Sequence, residues 1–410
     1  MTPERLIVAD PGLRSALGHH LGYSISVAEA ARERGILPLV LASANFIGPI
    51  SEAVECRPIF TAAYQSAGGG GRAREALFGL AARLPAPLAR SVAPPLRVLR
   101  RTLRRPAVDT FASELASALA VVGGAQRDLV LLHSVSAANI AGLASALAPS
   151  AVGALALVLR RTPREMDCDD AAPQPIFVVL RALADHFGSK LRLLADTAPL
   201  TQVWSAGLGL PVAVAPLPVV APPVRASAPA EPPHLVFVGG ARAEKGYALL
   251  PGLVRSLAGA ARFTVHSGAI GPADDPMVQR AHLALHAMVG PGLMLLERPL
   301  SAEEYGALLA DADLILLPYD APTYGPRSSG ILAEARAIGV PAVVPADCWM
   351  ADEVGPDQAL VFRGAAQFEA KVRGALTRLP SLLARYAEAA PAWRAAHSPA
   401  ALLAATLGER

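Results

Sequence analysis

The stretch L-I-L-L-P-Y-D-A-P-T-Y-G-P-R-S-S-G-I-L-A-E-A-R-A-I-G-V-P-A-V-V-P, residues 314–345, sets a Gly/Pro/Ser loop and one periodic segment between two apolar runs. It predicts a strand at 314–317, a helix from about 330 to 338 stopped by Gly-Val-Pro, and a second strand ending at 345. Ser328 and Ser329 are good N-cap residues and Gly330 permits close approach, so the amides and the positive helix end form an anion site. At about 100° per residue Ile331, Leu332, Ala335 and Ile338 form one apolar stripe, and Glu334 falls on its edge, half-buried. A capping box would need that Glu three residues after a serine, where Ile331 and Leu332 stand, so something else should pair with it. Ribose hydroxyls are one candidate.

The strand, loop and helix unit recurs outward from this stretch. Residues 5–9 form a strand ending at Asp10, a loop carries Gly18, His19 and His20, a helix runs from near Gly22 to Gly35, and 37–41 is the next strand. A buried strand at 128–132 delivers His133 and Ser134, a small-residue helix spans 136–148, and further strands run over 152–159, ending in Arg160 and Arg161, and over 211–214. A second series begins with a strand at 235–238, the loop G-G-A-R-A-E-K-G and a helix at 247–257. Strands at 263–266 and 293–295 and a helix at 302–310 follow. Such alternation predicts parallel α/β sheets with functional residues at the C-terminal strand ends. At 410 residues the chain exceeds one core, so two Rossmann-like domains are expected, 1–215 and 234–380. Between them lies a Pro/Ala-rich linker, 216–233, and a helical tail, 381–410, follows, able to cross back to the first domain.

A net charge of +3 and only 5% aromatic residues argue against a dedicated nucleic-acid binder. The charge is local: from Arg72 to Arg105 nine arginines stand against one acid, Glu75. An anionic membrane surface or acidic acceptor is one reading of that segment and a solvated helical excursion is the other. Cys56, Cys168 and Cys348 are scattered and form no C-x-x-C pair, and no secretory signal opens the chain, so a cytoplasmic protein is expected. The uncharged run 134–159 is interrupted by Asn139, Gly142, Pro149 and Gly153 and reads as core rather than a membrane span.

Arg242 and Lys245 stand three apart in a glycine-bracketed loop after a strand, where two cations and free amides can neutralise a diphosphate. Neither G-x-G-x-x-G at a strand end nor a P-loop occurs, which weighs against dehydrogenases and ATPases. His282 and His286 have metal-pair spacing but lack the Glu of H-E-x-x-H, so no metal is assigned. Of the adjacent His19 and His20, at most one points easily into a given crevice, and His133 is the better catalytic candidate. Asp10 and Asp320, also just after strands, either bind hydroxyls or make Asx turns.

The motifs V-G-G-A-R-A-E-K-G (238–246), A-D-A-D-L-I-L-L-P-Y (310–319) and S-S-G-I-L-A-E-A-R-A-I-G-V-P-A-V (328–343) resemble retaining glycosyltransferases of the GT-B fold, similar to glycosyltransferase family 4. The resemblance covers nearly the whole chain and implies two Rossmann-like domains facing a central cleft. It implies transfer of a sugar from a nucleotide-diphosphate sugar to an acceptor hydroxyl, with retention, without a cofactor or metal. The acceptor is left open among glycan, lipid-linked glycan, metabolite and protein. Lys245 and Arg242 would hold the donor diphosphate, Arg242 as an offset match because Gly240 occupies the usual Arg position. Glu334 would bind the ribose, Ser328, Ser329 and Gly330 would cap the phosphates, Gly18 and His19 would line the first-domain loop, and His133 would meet the transferred sugar. The first Glu of the family's pair is replaced by Pro326, so the sugar would be recognised differently, through Asp320, Tyr324 or Arg327. A nucleotide-sugar epimerase of the same fold and a catalytically degenerate binding protein are the alternatives.

Overall fold

The computed structural model describes residues 2–14, 19–48, 53–61, 108–123, 126–169, 174–220, 225, 228–271, 274–355 and 360–409. The chain divides into two compact units. The first comprises Met1–Ala195, Leu200–Ala215 and Leu403–Arg410, and the second Asp196–Pro199 and Pro216–Leu402.

The first unit holds a parallel sheet of β1 (Arg5–Asp10), β2 (Leu37–Ser43), β3 (Glu55–Phe60), β4 (Asp128–Leu132), β5 (Ala154–Val158), β6 (Leu191–Ala195) and β7 (Ala213–Val214). Their order is β3-β2-β1-β4-β5-β6-β7, so the chain winds outward from β1 in one direction and then returns to its other side. Every residue of β4 and β5 is buried, as expected of parallel strands covered on both faces. Ile7, Ala9, Val130, Leu132, Leu155 and Leu157 alternate along their strands into one core. The helix His19–Glu33 lays Tyr23, Val27, Ala30 and Ala31 inward.

Several expectations change in this unit: the strand Glu55–Phe60 and the helix Val108–Val122 are additional elements, and the first helix opens at His19 rather than near Gly22. The stretch 136–148 is two short helices, Ala137–Ala141 and Leu143–Ala146, rather than one. Ser136 and Asn139 form a capping box at the first start, the chain restarts at Gly142, and Pro149 holds Ala148 extended. Strand β6 was not foreseen because Arg192 interrupts its apolar run; its guanidinium donates to the Thr406 carbonyl at 2.8 Å.

The second unit repeats the design with β8 (His234–Phe237), β9 (Arg262–His266), β10 (Leu293–Leu296), β11 (Leu314–Leu316), β12 (Ala342–Pro345) and β13 (Val361–Phe362), all parallel, in the order β10-β9-β8-β11-β12-β13. Alternate residues face opposite cores: Leu235, Phe237, Leu314 and Leu316 on one side, Val236, Val238, Ile315 and Leu317 on the other. The helix Gly330–Ile338 connects β11 to β12 and ends at Gly339, which takes a left-handed φ of 87°. A side chain at Gly339 would meet the Ala387 backbone at 3.0 Å, and this glycine lets the helix Leu379–Ala396 lie close. Trp393 Nε1 and Arg394 of that helix donate to the Ala333 and Ala337 carbonyls. The segment 216–233 is tied to the second unit, with the Val219 amide bonded to the His397 carbonyl at 2.8 Å and Arg225 to Ala312 and Asp313.

Each sheet therefore has one switch point, β1 against β4 and β8 against β11, and in open α/β sheets the C-terminal strand ends at such a point are where ligands bind. Among the described residues no helix is long and apolar enough to cross a membrane. The segment from Arg72 to Arg105 lies outside the described residues.

Candidate functional site

At the second switch point, β8 runs into Gly239 and Gly240, both with positive φ, and a 3-10 turn at Ala243–Lys245. Gly246 closes the turn at φ 68°, and a Cβ there would lie 1.8 Å from the Pro318 carbonyl oxygen, so this loop can sit against the end of β11 only with glycine. The Asp320 amide bonds the Glu244 carbonyl at 2.9 Å and completes the junction.

Lys245 is thereby drawn inside, with 8% of its surface exposed. Its Nζ donates to the Gly239 carbonyl at 2.6 Å and lies 5.6 Å from the centre of the Tyr319 ring. Burial, aided by the nearby Arg242 charge, lowers its pKa to about 8. A side chain at Gly239 would collide with both Lys245 Nζ and Ile331 Cδ1, so the cationic loop and the first turn of the helix Gly330–Ile338 meet at this glycine. Arg242 is 55% exposed and paired with Glu244 at 3.1 Å. A surface pair of this kind contributes at most about 1 kcal/mol, so the guanidinium is only weakly held.

Ser329 caps that helix, its Oγ accepting from the Leu332 amide at 3.3 Å. Gly330 is exposed and nothing lies within 4 Å of a Cβ built on it, so internal packing does not require glycine here. Ser328 Oγ donates to Asp196 at 2.6 Å, within the second unit. Glu334, one turn on, is half-buried, and its partner is the Tyr305 hydroxyl, which donates to Oε2 at 2.5 Å. Burial raises the Glu334 pKa and the Tyr305 hydrogen bond works against that rise.

The remaining second-unit candidates divide. Asp320 is a helix cap: its carboxylate accepts from the Thr323 amide at 3.1 Å and the Thr323 hydroxyl at 2.5 Å, which is the Asx-turn alternative. Tyr324 is buried with its ring centre 4.4 Å from that of Tyr319, and the Arg327 guanidinium lies over the Tyr324 ring, 5.4 Å from its centre. The Pro326 carbonyl accepts from Thr197 Oγ1. His282 is bonded to Tyr247 and Glu297, and among the described residues no cluster of His, Cys, Asp and Glu has metal-site geometry.

At the first switch point the side chains answer one another. Asp10, fully buried at the end of β1, bonds His20 Nδ1 at 2.9 and 3.0 Å and His133 Nε2 at 3.1 Å. Ser24 bridges Asp10 and His133, Ser134 Oγ meets His133 Nδ1 at 3.0 Å, and Tyr23 stacks on the His133 ring at 4.2 Å. The Arg160 guanidinium lies 4.5 Å from the Tyr23 ring centre. Burial by itself would raise the Asp10 carboxyl, but the two imidazoles overcome it and hold the pKa below the usual range. Burial pushes the His133 imidazole down against the pull of Asp10. An ionised Asp10 beside a neutral His133, with Nε2–H toward Asp10 and Nδ1 accepting from Ser134, satisfies both. His133 is therefore wholly inside, while the His20 side chain keeps 16% exposure. Gly12 makes this possible, because a Cβ there would strike the His20 ring at 2.2 Å.

Gly18 lies outside the described residues, and of His19 only the backbone that opens the helix His19–Glu33 is described. Ser24, Tyr23 and Tyr305 belong to no motif that assigns them to either site from sequence. The spacing of His20 and Ser24, four apart on one helix face that follows Asp10, was the available signal for the first cluster. Nothing local connects Tyr305 to Glu334, 29 residues away.

No family model and no curated protein matches the sequence. Solved structures match along nearly its whole length. A glycosyltransferase from Rickettsia africae ESF-5 is 12% identical with a TM-score of 0.62, covering 99% of this chain and 97% of that one. Sucrose-phosphate synthase from Thermosynechococcus elongatus is 13% identical with a TM-score of 0.65, covering 98% and 97%. A UDP-forming alpha,alpha-trehalose-phosphate synthase from Burkholderia xenovorans, in complex with glucose-6-phosphate, is 14% identical with a TM-score of 0.66, covering 98% and 99%. At such identities the likeness is one of fold, and the chain shares with these proteins the α/β architecture of two parallel sheets that the GT-B resemblance implied.

Proposed function

We propose that the chain is a glycosyltransferase that moves a sugar from a nucleotide-diphosphate sugar to an acceptor hydroxyl. The observation that carries this reading is the meeting, at Gly239, of the buried Lys245 and the start of the helix capped by Ser329. A cation and outward helix amides at one place are what a departing diphosphate needs, because charge developing on the leaving oxygen is stabilised by groups already in position. Arg242 joins after leaving Glu244, Glu334 takes ribose hydroxyls, and the Tyr324 and Arg327 pair borders the sugar where the family's first Glu is missing. His133 acts from within the Asp10 cluster, fixing Tyr23 and His20 rather than meeting the sugar through its own engaged nitrogens. The reaction retains configuration without a metal, the donor phosphate taking the acceptor proton on the face from which it leaves.

The fold neighbours support the donor class, since two of them are named as synthases of sugar phosphates and one of these as UDP-forming. We place the protein in the cytoplasm, peripheral to an anionic membrane through Arg72 to Arg105. An arginine-to-glutamine variant of that segment should then float less well than wild type with anionic vesicles. The catalytic reading is tested by incubating the protein with UDP-, GDP- and ADP-sugars and a panel of hydroxyl acceptors and assigning the product anomer by NMR. A new glycoside with the donor's configuration supports it. Epimerised donor without acceptor would replace transfer by epimerisation, and nucleotide binding without any turnover would leave a binding protein.

A further inference from the structure

Tyr305 belongs to the helix Ala302–Ala310, whose start is fixed by a reciprocal Ser301 and Glu304 capping box. Its amide bonds the Ser301 carbonyl at 2.9 Å, so the residue sits in the first full turn with its direction set. The ring packs against the core formed by Val236, Ile315 and Leu332, and the hydroxyl reaches across to Glu334 Oε2 at 2.5 Å. Among the described residues Glu334 has no ion-pair partner. If the pair were only an internal staple, a glutamine or a carbonyl would accept the phenol equally well and spare the protein a half-buried charge. An ionised carboxylate offers about four acceptor positions, of which the phenol fills one. The rest suit a pair of neighbouring hydroxyls.

We propose that Tyr305 is the positioning residue of a ribose site, holding the Glu334 carboxylate in one orientation so that it receives the vicinal diol of a nucleoside diphosphate. This rests on the glycosyltransferase reading only in that the ligand of Glu334 is the donor's ribose. Tyr305 acts through Glu334 and touches no substrate. Its removal therefore weakens recognition of the diol and leaves recognition of the phosphates intact.

The test is calorimetric titration of the full chain with UDP, GDP and ADP, with their 2′,3′-dideoxy counterparts, and with inorganic pyrophosphate. Wild type is compared with Tyr305→Phe, Glu334→Gln, the double variant and Lys245→Ala. For whichever nucleotide binds wild type, Tyr305→Phe should cost about tenfold in affinity, the size of a lost hydrogen bond to a charged group. Binding of the dideoxy compound and of pyrophosphate should stay within about twofold, and the double variant should bind no more weakly than Glu334→Gln alone. Equal losses for all ligands, no loss at all, or additive losses in the double variant would overturn the proposal. Nucleotide binding that depends on Lys245 but is indifferent to Tyr305 sinks this proposal alone, whereas absence of any nucleotide binding to folded wild type sinks the glycosyltransferase reading and this proposal with it.

Discussion

The two switch points are built on the same strand order and filled in opposite ways. At the end of β1 the Asp10 charge is met by His20, His133 and Ser24, and the histidines by Ser134 and the Tyr23 ring. At the end of β8 the Lys245 charge is met by one carbonyl and an aromatic face, and the Glu334 charge by one phenol. In the first network each of the Asp10, Ser24 and His133 side chains is hydrogen-bonded to another member. The second has drawn a cation and an anion partly out of water, and among the described residues neither makes a salt bridge, Lys245 feeling Glu244 only at longer range, a cost that makes sense where a ligand supplies the complement. A common backbone thus carries a mutually bonded polar cluster in one unit and, in the other, the charged groups that the proposed function assigns to a ligand.

The largest way to break this contrast is Asp10→Ala, which strips the first network of its centre. Leaving buried polar groups unanswered should lower stability by about 3 kcal/mol, read as a shifted urea midpoint, and a loss under 1 kcal/mol would mean that the network is not the scaffold described. Next comes Gly246→Ala, which forces a Cβ onto the Pro318 carbonyl at left-handed φ. It should cost about 2 kcal/mol and nucleotide affinity as well, because the turn that buries Lys245 must open.

A third effect is set by pH. The Lys245 cation is complete below about 8 and lost above it, so nucleotide affinity should be level in mildly acid to neutral buffer. Above that value it should fall by up to about tenfold per pH unit. The fold moves the other way: the unfolded chain keeps this proton up to about 10.5 while the folded chain releases it near 8, so stability gains as pH climbs through that window. Affinity that stays constant to pH 9.5 would remove Lys245 from the phosphate site. Smallest is Asp320→Ala, where loss of the cap should cost about 1 kcal/mol with nucleotide affinity unchanged. A large drop in affinity from that variant would restore Asp320 as a ligand group.

Much of the frame is legible in the sequence, because apolar runs of strand length separated by glycine and proline announce the parallel sheets, and Ser-Ser-Gly before a periodic segment announces the helix start. The stripe that leaves Glu334 on its edge follows from helical spacing alone. What cannot be read is set by long-range contact. Tyr305 and Glu334 come together only when two helices pack on one sheet face, and the Asp10 cluster needs β1 to be paired with β4 across more than a hundred residues of chain. Strands such as β6 and the two-residue β13 carry too little pattern of their own and are fixed by their neighbours.

The loop after β8 and the helix start after β11 are proposed to bind a nucleoside diphosphate. The direct measurement is titration calorimetry of wild type and Lys245→Ala with UDP, GDP and ADP in neutral buffer. Wild type should bind one nucleotide selectively and the variant should lose about a hundredfold, in line with removing a charge-assisted contact from a partly buried site. Equal affinity in the two proteins, or no binding of any nucleotide by folded wild type, would contradict it.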